Sequence, residues 1–133
     1  MALTLDSDQG TYRPGACNIG QDEIAARRRI GVAQLLLAVA LGGALLVLDM
    51  PPWARLVVWP LLAAAFVTLE QVRRRFCVAF GLAGLRNFGR IGHAERIEDA
   101  EARASDRRTA LVMVTYCALA AAAVTALFVA IPG

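Results

Sequence analysis

Residues 109–131 read TALVMVTYCALAAAAVTALFVAI, 23 positions without a formal charge. A helix of that length covers about 34 Å, enough for the hydrocarbon of a bilayer. Arg107-Arg108 precede it and Pro132-Gly133 follow it, so the run is bounded on both sides. Two weaker runs are read against this one. Ile30–Leu48 is 19 residues with no charge, and Gln34 is its only strongly polar side chain. Asp49-Met50-Pro51-Pro52 stops it, because successive prolines do not continue a helix. Trp53–Val72 supplies a further 20 positions. Trp53 and Trp59 are placed as an interfacial belt, Pro60 falls in the first turns, and Glu70 falls at the far interface. Arg55 is expected to snorkel to the headgroups.

Composition agrees with this reading. The chain has 133 residues, 58% apolar and 19% charged, with a mean hydropathy of +0.54. A soluble domain of this size has no core large enough to hide so much apolar surface. A secreted disulfide scaffold, a disordered chain and a large multidomain enzyme are excluded. The expected fold is an all-α integral membrane protein with three transmembrane helices at about 30–48, 53–72 and 109–131. A polar N-terminal tail (1–18) precedes a single membrane domain (19–133), and residues 73–108 form an elaborated segment on one side. Residues 1–29 contain no apolar run, so no cleaved signal peptide is expected.

Asn18-Ile19-Gly20-Gln21 has the form of a capping box, which predicts a helix from about Ile19. Asp22 and Glu23 suit its first turn, and Glu23 and Arg27 are spaced as a favourable ion pair. Arg73-Arg74-Arg75 ends the second span. Phe76–Leu85 is apolar but too short to cross; it lies at the interface, re-enters slightly or packs on the other helices. Residues 86–108 hold six arginines and five acids, with Asp99 and Arg103 as an i,i+4 pair. A short solvated helix is expected there, with Ser105 or Asp106 capping the third span.

The arginines fix the expected orientation. All 14 basic residues are arginine; four precede the first span, one lies between the first and second, and nine lie between the second and third. Three spans put the first and last of these groups on one side, and the positive-inside rule makes that side the cytoplasm, N-in/C-out. Arginine without lysine suits a GC-rich genome, and the overall profile of the chain resembles the small membrane proteins of GC-rich bacteria. The expected location is the bacterial cytoplasmic (inner) membrane.

Few residues carry chemistry. Arg27, Arg28, Arg29, Arg73, Arg74 and Arg75 sit at headgroup level, where each contributes on the order of 1 kcal/mol towards an anionic surface. They serve topology first and anionic lipid headgroups second. Ala38 with Gly42 in the first span, and Ala118, Ala122, Ala126 and Ala130 in the third, recur every four residues and favour close helix packing, within the chain or with a partner. Cys17 and Cys77 fall on the cytoplasmic side and, with His93, are the weak candidates for a thiol or metal site, although no ligand spacing is met. Cysteine packing as a small apolar residue is the simpler account.

No cofactor is expected. The spans hold no histidine for haem; Met113, Tyr116 and Cys117 are of ligating type but lack supporting spacing. No nucleic-acid motif accompanies the basic charge. No triad, HExxH or P-loop is present, so an enzyme is not favoured. Glu70 with Arg73 or Arg74 forms an expected interfacial ion pair. Tyr12–Gly20 and Arg75–Gly81 read as motif-like stretches without matching a known pattern. The expected role is a small accessory, assembly or scaffolding protein, with a membrane-protein partner or a second copy. A thiol-redox or metal-binding protein, and a lipid binder or small lipid-modifying enzyme, are the alternatives.

Overall fold

A computed structural model of the chain describes residues 12–132. The first eleven residues of the expected tail, and Gly133, lie outside the described residues. The elements in order are helix α1 (Gln21–Val47), a 3₁₀ turn (Pro52–Val57), helix α2 (Val58–Arg74), short helix α3 (Val78–Ala83), strands β1 (Leu85–Arg86) and β2 (Glu95–Arg96), and helix α4 (Ala100–Val129). Three helical segments are long and apolar enough to cross a membrane: Gln21–Val47, Pro52–Arg74 and Ala100–Val129. The chain is mainly helical. Its departures from an all-α class, among the described residues, are the antiparallel pair Leu85↔Arg96 and Arg86↔Glu95 and two isolated bridges, Arg13↔Cys17 and Ile19↔Asn87.

Helix α2 packs against both α1 and α4, so it is the centre of the bundle. Ala38 and Leu45 of α1, Val58 and Leu62 of α2, and Ala121 of α4 form one core cluster. Gly31 allows α1 to close on α2, since a Cβ there would meet Leu69 Cδ2 at 2.6 Å. Only 17–22% of each helix's most apolar stretch is buried inside the chain. The remaining apolar faces point outward, as they do when lipid is the solvent.

The packing row of α4 differs from the expected one. Ala110, Met113, Cys117, Ala121 and Thr125 are buried, whereas Ala118 and Ala122 are half-buried and Ala126 and Ala130 are exposed. Alanine is so frequent here that several i,i+4 rows exist, and the row facing Leu62 of α2 is one residue towards the N-terminus. Ala38 and Gly42 are buried as expected, but α1 packs mainly on α2 rather than on α4.

The helices are unequal at their arginine-bearing end. From the Gly31–Leu69 contact, α1 continues ten residues and α2 only five. Tyr116 and Glu70 are hydrogen-bonded; beyond them α4 continues sixteen residues and α2 four. At about 1.5 Å per residue the outer helices overhang the central one by about 7.5 Å and about 18 Å. The α2 helix stops at Arg75, a left-handed residue (φ 55°) whose N–H closes on Gln71 O. The space above its end is filled by residues 12–20 and by the segment from Phe76 to Ile97.

Four expectations are corrected here. The helix after Asp99 does not end before the third span. Residues 100–129 form one helix capped by Asp99, whose side chain accepts from Glu101 N and Ala102 N. Ser105 and Asp106 are therefore interior positions, because no breaker separates the alanine-rich segment from the apolar run. Arg103 turns back to the carbonyls of Ile97 (2.7 Å) and Glu98 (2.8 Å), where the sequence placed an ion pair with Asp99. The N-cap of α1 is Gly20 and receives no side-chain bond, because Asn18 is engaged elsewhere. Arg55 does not snorkel: it is 1% exposed, and its Nη1 donates to Phe128 O (3.1 Å), Val129 O (3.4 Å) and Ile131 O (2.8 Å). It caps the negative end of α4, with its guanidinium 5.5 Å from the Phe128 ring centre.

Candidate functional site

The filled end of the bundle is built on buried amides. Asn18 is fully buried; its Oδ1 accepts from Cys77 N (2.7 Å) and its Nδ2 donates to Cys77 O (3.2 Å). The Asn18 backbone also bonds to Arg75 O and receives Asn87 N. Asn87, equally buried, donates to Glu23 Oε2 (2.8 Å) and to Arg90 O (2.9 Å), and so fixes the loop between the strands. Glu23 is ion-paired with Arg27, as the spacing predicts, and Arg27 Nη2 donates to Cys77 Sγ (2.9 Å). Gln71 accepts from Val78 N (2.8 Å). The first amides of α3 are thus satisfied by side chains from two other segments.

A second group ties residues 12–17 to α4. Pro14-Gly15 forms a turn closed by Ala16 N and Cys17 N on Arg13 O, with Gly15 at φ 71°. Gly15 N donates to Asp106 Oδ1 (2.6 Å), Tyr12 OH to Asp106 Oδ2 (2.7 Å), and Thr109 Oγ1 to Gly15 O (2.8 Å). Asp106 is fully buried, and Gly15 N and Tyr12 OH satisfy its carboxylate. Burial, and next the bond to Asp106, push the Tyr12 phenol well above its ordinary 10.0. Gly81 lets α3 lie against α4: a Cβ there would meet the Phe76 ring at 2.8 Å and Asp106 O at 3.1 Å. Of the readings for Phe76–Leu85, the structure has the segment packed on the other helices. The two motif-like stretches meet one another through Asn18 and Cys77.

The predicted arginines gather at this end. Arg28, Arg29, Arg73 and Arg75 are exposed, while Arg27 and Arg74 are half-buried. The candidate ligands are not assembled. Cys17 and Cys77 are buried and unlinked, and Cys17 Sγ lies 3.8 Å from Ile19 O. His93 is exposed in the strand–strand loop, and among the described residues no group of three His, Cys, Asp or Glu side chains is placed to hold a metal.

One polar cluster faces outward. Arg73 grips Glu70 with Nε and Nη2, both at 2.6 Å. Tyr116 OH donates to Glu70 Oε2, and Arg74 Nη1 donates to the Tyr116 oxygen at 3.2 Å. Glu70, Arg73 and Tyr116 border a groove of about 360 Å³ between α2 and α4, continued by Phe66, Leu69, Cys117 and Ala120, and Arg74 reaches its edge through Tyr116. The sequence pointed to Glu70 and Arg73 through their spacing but not to Tyr116 as their partner, 46 residues away. A second, apolar cleft lies between α1 and α4 nearer the other end, lined by Ala38, Gly42, Gly43, Leu46, Val124 and Phe128 among others.

No protein-family model, curated protein or solved structure matches this chain.

Proposed function

We propose that the chain is a multi-pass protein of the bacterial cytoplasmic membrane, with its arginine-bearing end in the cytoplasm, acting as a small accessory or scaffolding component of a larger membrane assembly. The cleft between α1 and α4 carries this reading. Gly42 and Gly43 keep its floor low, Val124 and Phe128 form its far wall, and the surface is apolar. Small residues in such a cleft admit the backbone of another transmembrane helix. The polar end supports the same role, because its buried side chains are engaged with one another in holding three segments together.

Gly43 supplies the test, since a Cβ there meets nothing within 4 Å. Gly43→Leu fills the cleft while leaving the chain's own packing intact. In mild-detergent purification the native chain is expected to bring down a stoichiometric membrane partner, and Gly43→Leu to lose it at unchanged melting temperature. A partner-free native chain refutes the proposal. Orientation is tested with a thiol introduced at Met50 in a background lacking the native cysteines. It is expected to label from outside the cell, and labelling from the cytoplasm overturns the topology.

A further inference from the structure

The groove between α2 and α4 is polar at one end only. Glu70, Arg73 and Tyr116 form its mouth, and Phe66, Leu69, Cys117 and Ala120 line the rest. Phe66 to Arg73 spans about 10 Å of helix axis, so polarity falls off along the bundle from the arginine-bearing end towards its middle. A membrane amphiphile has the same gradient, with its head at the surface and its chain running inward.

The charges select the head. Both Glu70 oxygens are occupied by Arg73, and one of them also by Tyr116. The carboxylate is committed to holding the Arg73 guanidinium and, through Tyr116, that of Arg74. Arg73 keeps a side chain 70% exposed, and among the described residues its Nη1 and the Nε and Nη2 of Arg74 carry no hydrogen bond. Two guanidinium groups against one carboxylate leave the mouth positive, with donors already oriented. Guanidinium forks match phosphate oxygens.

We infer that this groove is a binding site for one phospholipid of net negative headgroup, its phosphate on Arg73 and Arg74 and one acyl chain along Phe66, Leu69, Cys117 and Ala120. Glu70 and Tyr116 are positioning residues. The inference rests on the membrane reading above.

The test reconstitutes the full chain in phosphatidylcholine bilayers containing a minor fraction of phosphatidylglycerol, and counts the phosphatidylglycerol retained per chain by native mass spectrometry. Retention is expected to fall at least tenfold in Arg73→Gln/Arg74→Gln. It should stay within twofold in Arg28→Gln/Arg29→Gln, which removes the same charge from exposed positions on α1. Ala120→Trp plugs the apolar part from an exposed position and is expected to abolish retention without any charge change. Tyr116→Phe is expected to weaken it less than the arginine pair. Equal loss in both arginine pairs, full retention in Ala120→Trp, equal retention of phosphatidylcholine, or displacement by millimolar inorganic phosphate overturns the site. A chain that enters bilayers without lipid preference sinks this inference alone, whereas one that does not enter bilayers sinks the membrane reading too.

Discussion

Replacing Asn18 with leucine tests how the filled end of the bundle is held. The side chain is fully buried and makes two bonds to one residue: Cys77 N to Oδ1 at 2.7 Å and Nδ2 to Cys77 O at 3.2 Å. Leucine has a similar shape and no polar atoms, so the variant leaves a buried N–H and a buried C=O unpaired. Each costs roughly 1–3 kcal/mol, and a combined loss of about 3 kcal/mol is a fair expectation. At about 1.4 kcal/mol per power of ten, the segment around Cys77 then opens about a hundredfold more often. Cys77, 1% exposed in the native chain, reports that opening directly. In a Cys17→Ala/Cys117→Ala background, its alkylation rate under conditions of fast reclosing follows the opening equilibrium. The Asn18→Leu rate is expected to rise about a hundredfold. A rate in Asn18→Leu within threefold of the parent would refute the claim that this amide holds α3 in place.

Three further outcomes are expected. Arg55→Leu removes the donor shared by three carbonyls at the end of α4 and should lower stability in detergent by about 3 kcal/mol, with partial recovery in Arg55→Lys; an unchanged melt contradicts the capping role. Tyr12 has its folded-state pKa raised above 10.0, so its contribution is complete below about pH 10 and is lost as pH climbs through the higher folded value. The melting difference between the native chain and Tyr12→Phe should therefore hold steady up to about pH 10 and shrink above it, and a difference that stays constant above about pH 10 contradicts the tether to Asp106. Gly81→Leu forces α3 off α4, because even a Cβ would sit 2.8 Å from the Phe76 ring, and a loss of about 1–3 kcal/mol is expected from the melt.

The three long apolar helices were legible because each depends on a local property, a run of apolar residues bounded by prolines or arginines. The arginine-bearing end was not, because it depends on residues far apart in the chain. Asn18-Ile19-Gly20-Gln21 matches a local helix cap, yet Asn18 bonds to Cys77, 59 residues on, and no periodicity encodes that pairing. Asp106 reads as a helix cap among arginines until Tyr12 and Gly15 are brought to it. Arg55 beside a predicted interface points to headgroups; its true partners emerge only once the end of α4 is seated on the 3₁₀ turn. The alanine rows show a different limit, since a stretch with alanine at most positions supports several packing faces equally well. At the candidate groove, Glu70 and Arg73 were visible as an i,i+3 pair, while Tyr116 lies on another helix.

The attachment of Tyr12–Gly20 to Arg75–Cys77, Asn87 and Asp106–Thr109 also sets an order in time. Ribosomes deliver Tyr12 and Gly15 more than ninety residues before the aspartate and threonine that hold them. The part of the described chain synthesised earliest is therefore seated last, after the third long helix has emerged. Until then Tyr12 and Gly15 lack their Asp106 acceptor, whereas Asn18, Glu23 and Asn87 already have Cys77, Arg27 and one another to bond. A nascent chain arrested before Asp106 carries an open end, and closure of that end marks completion of the bundle.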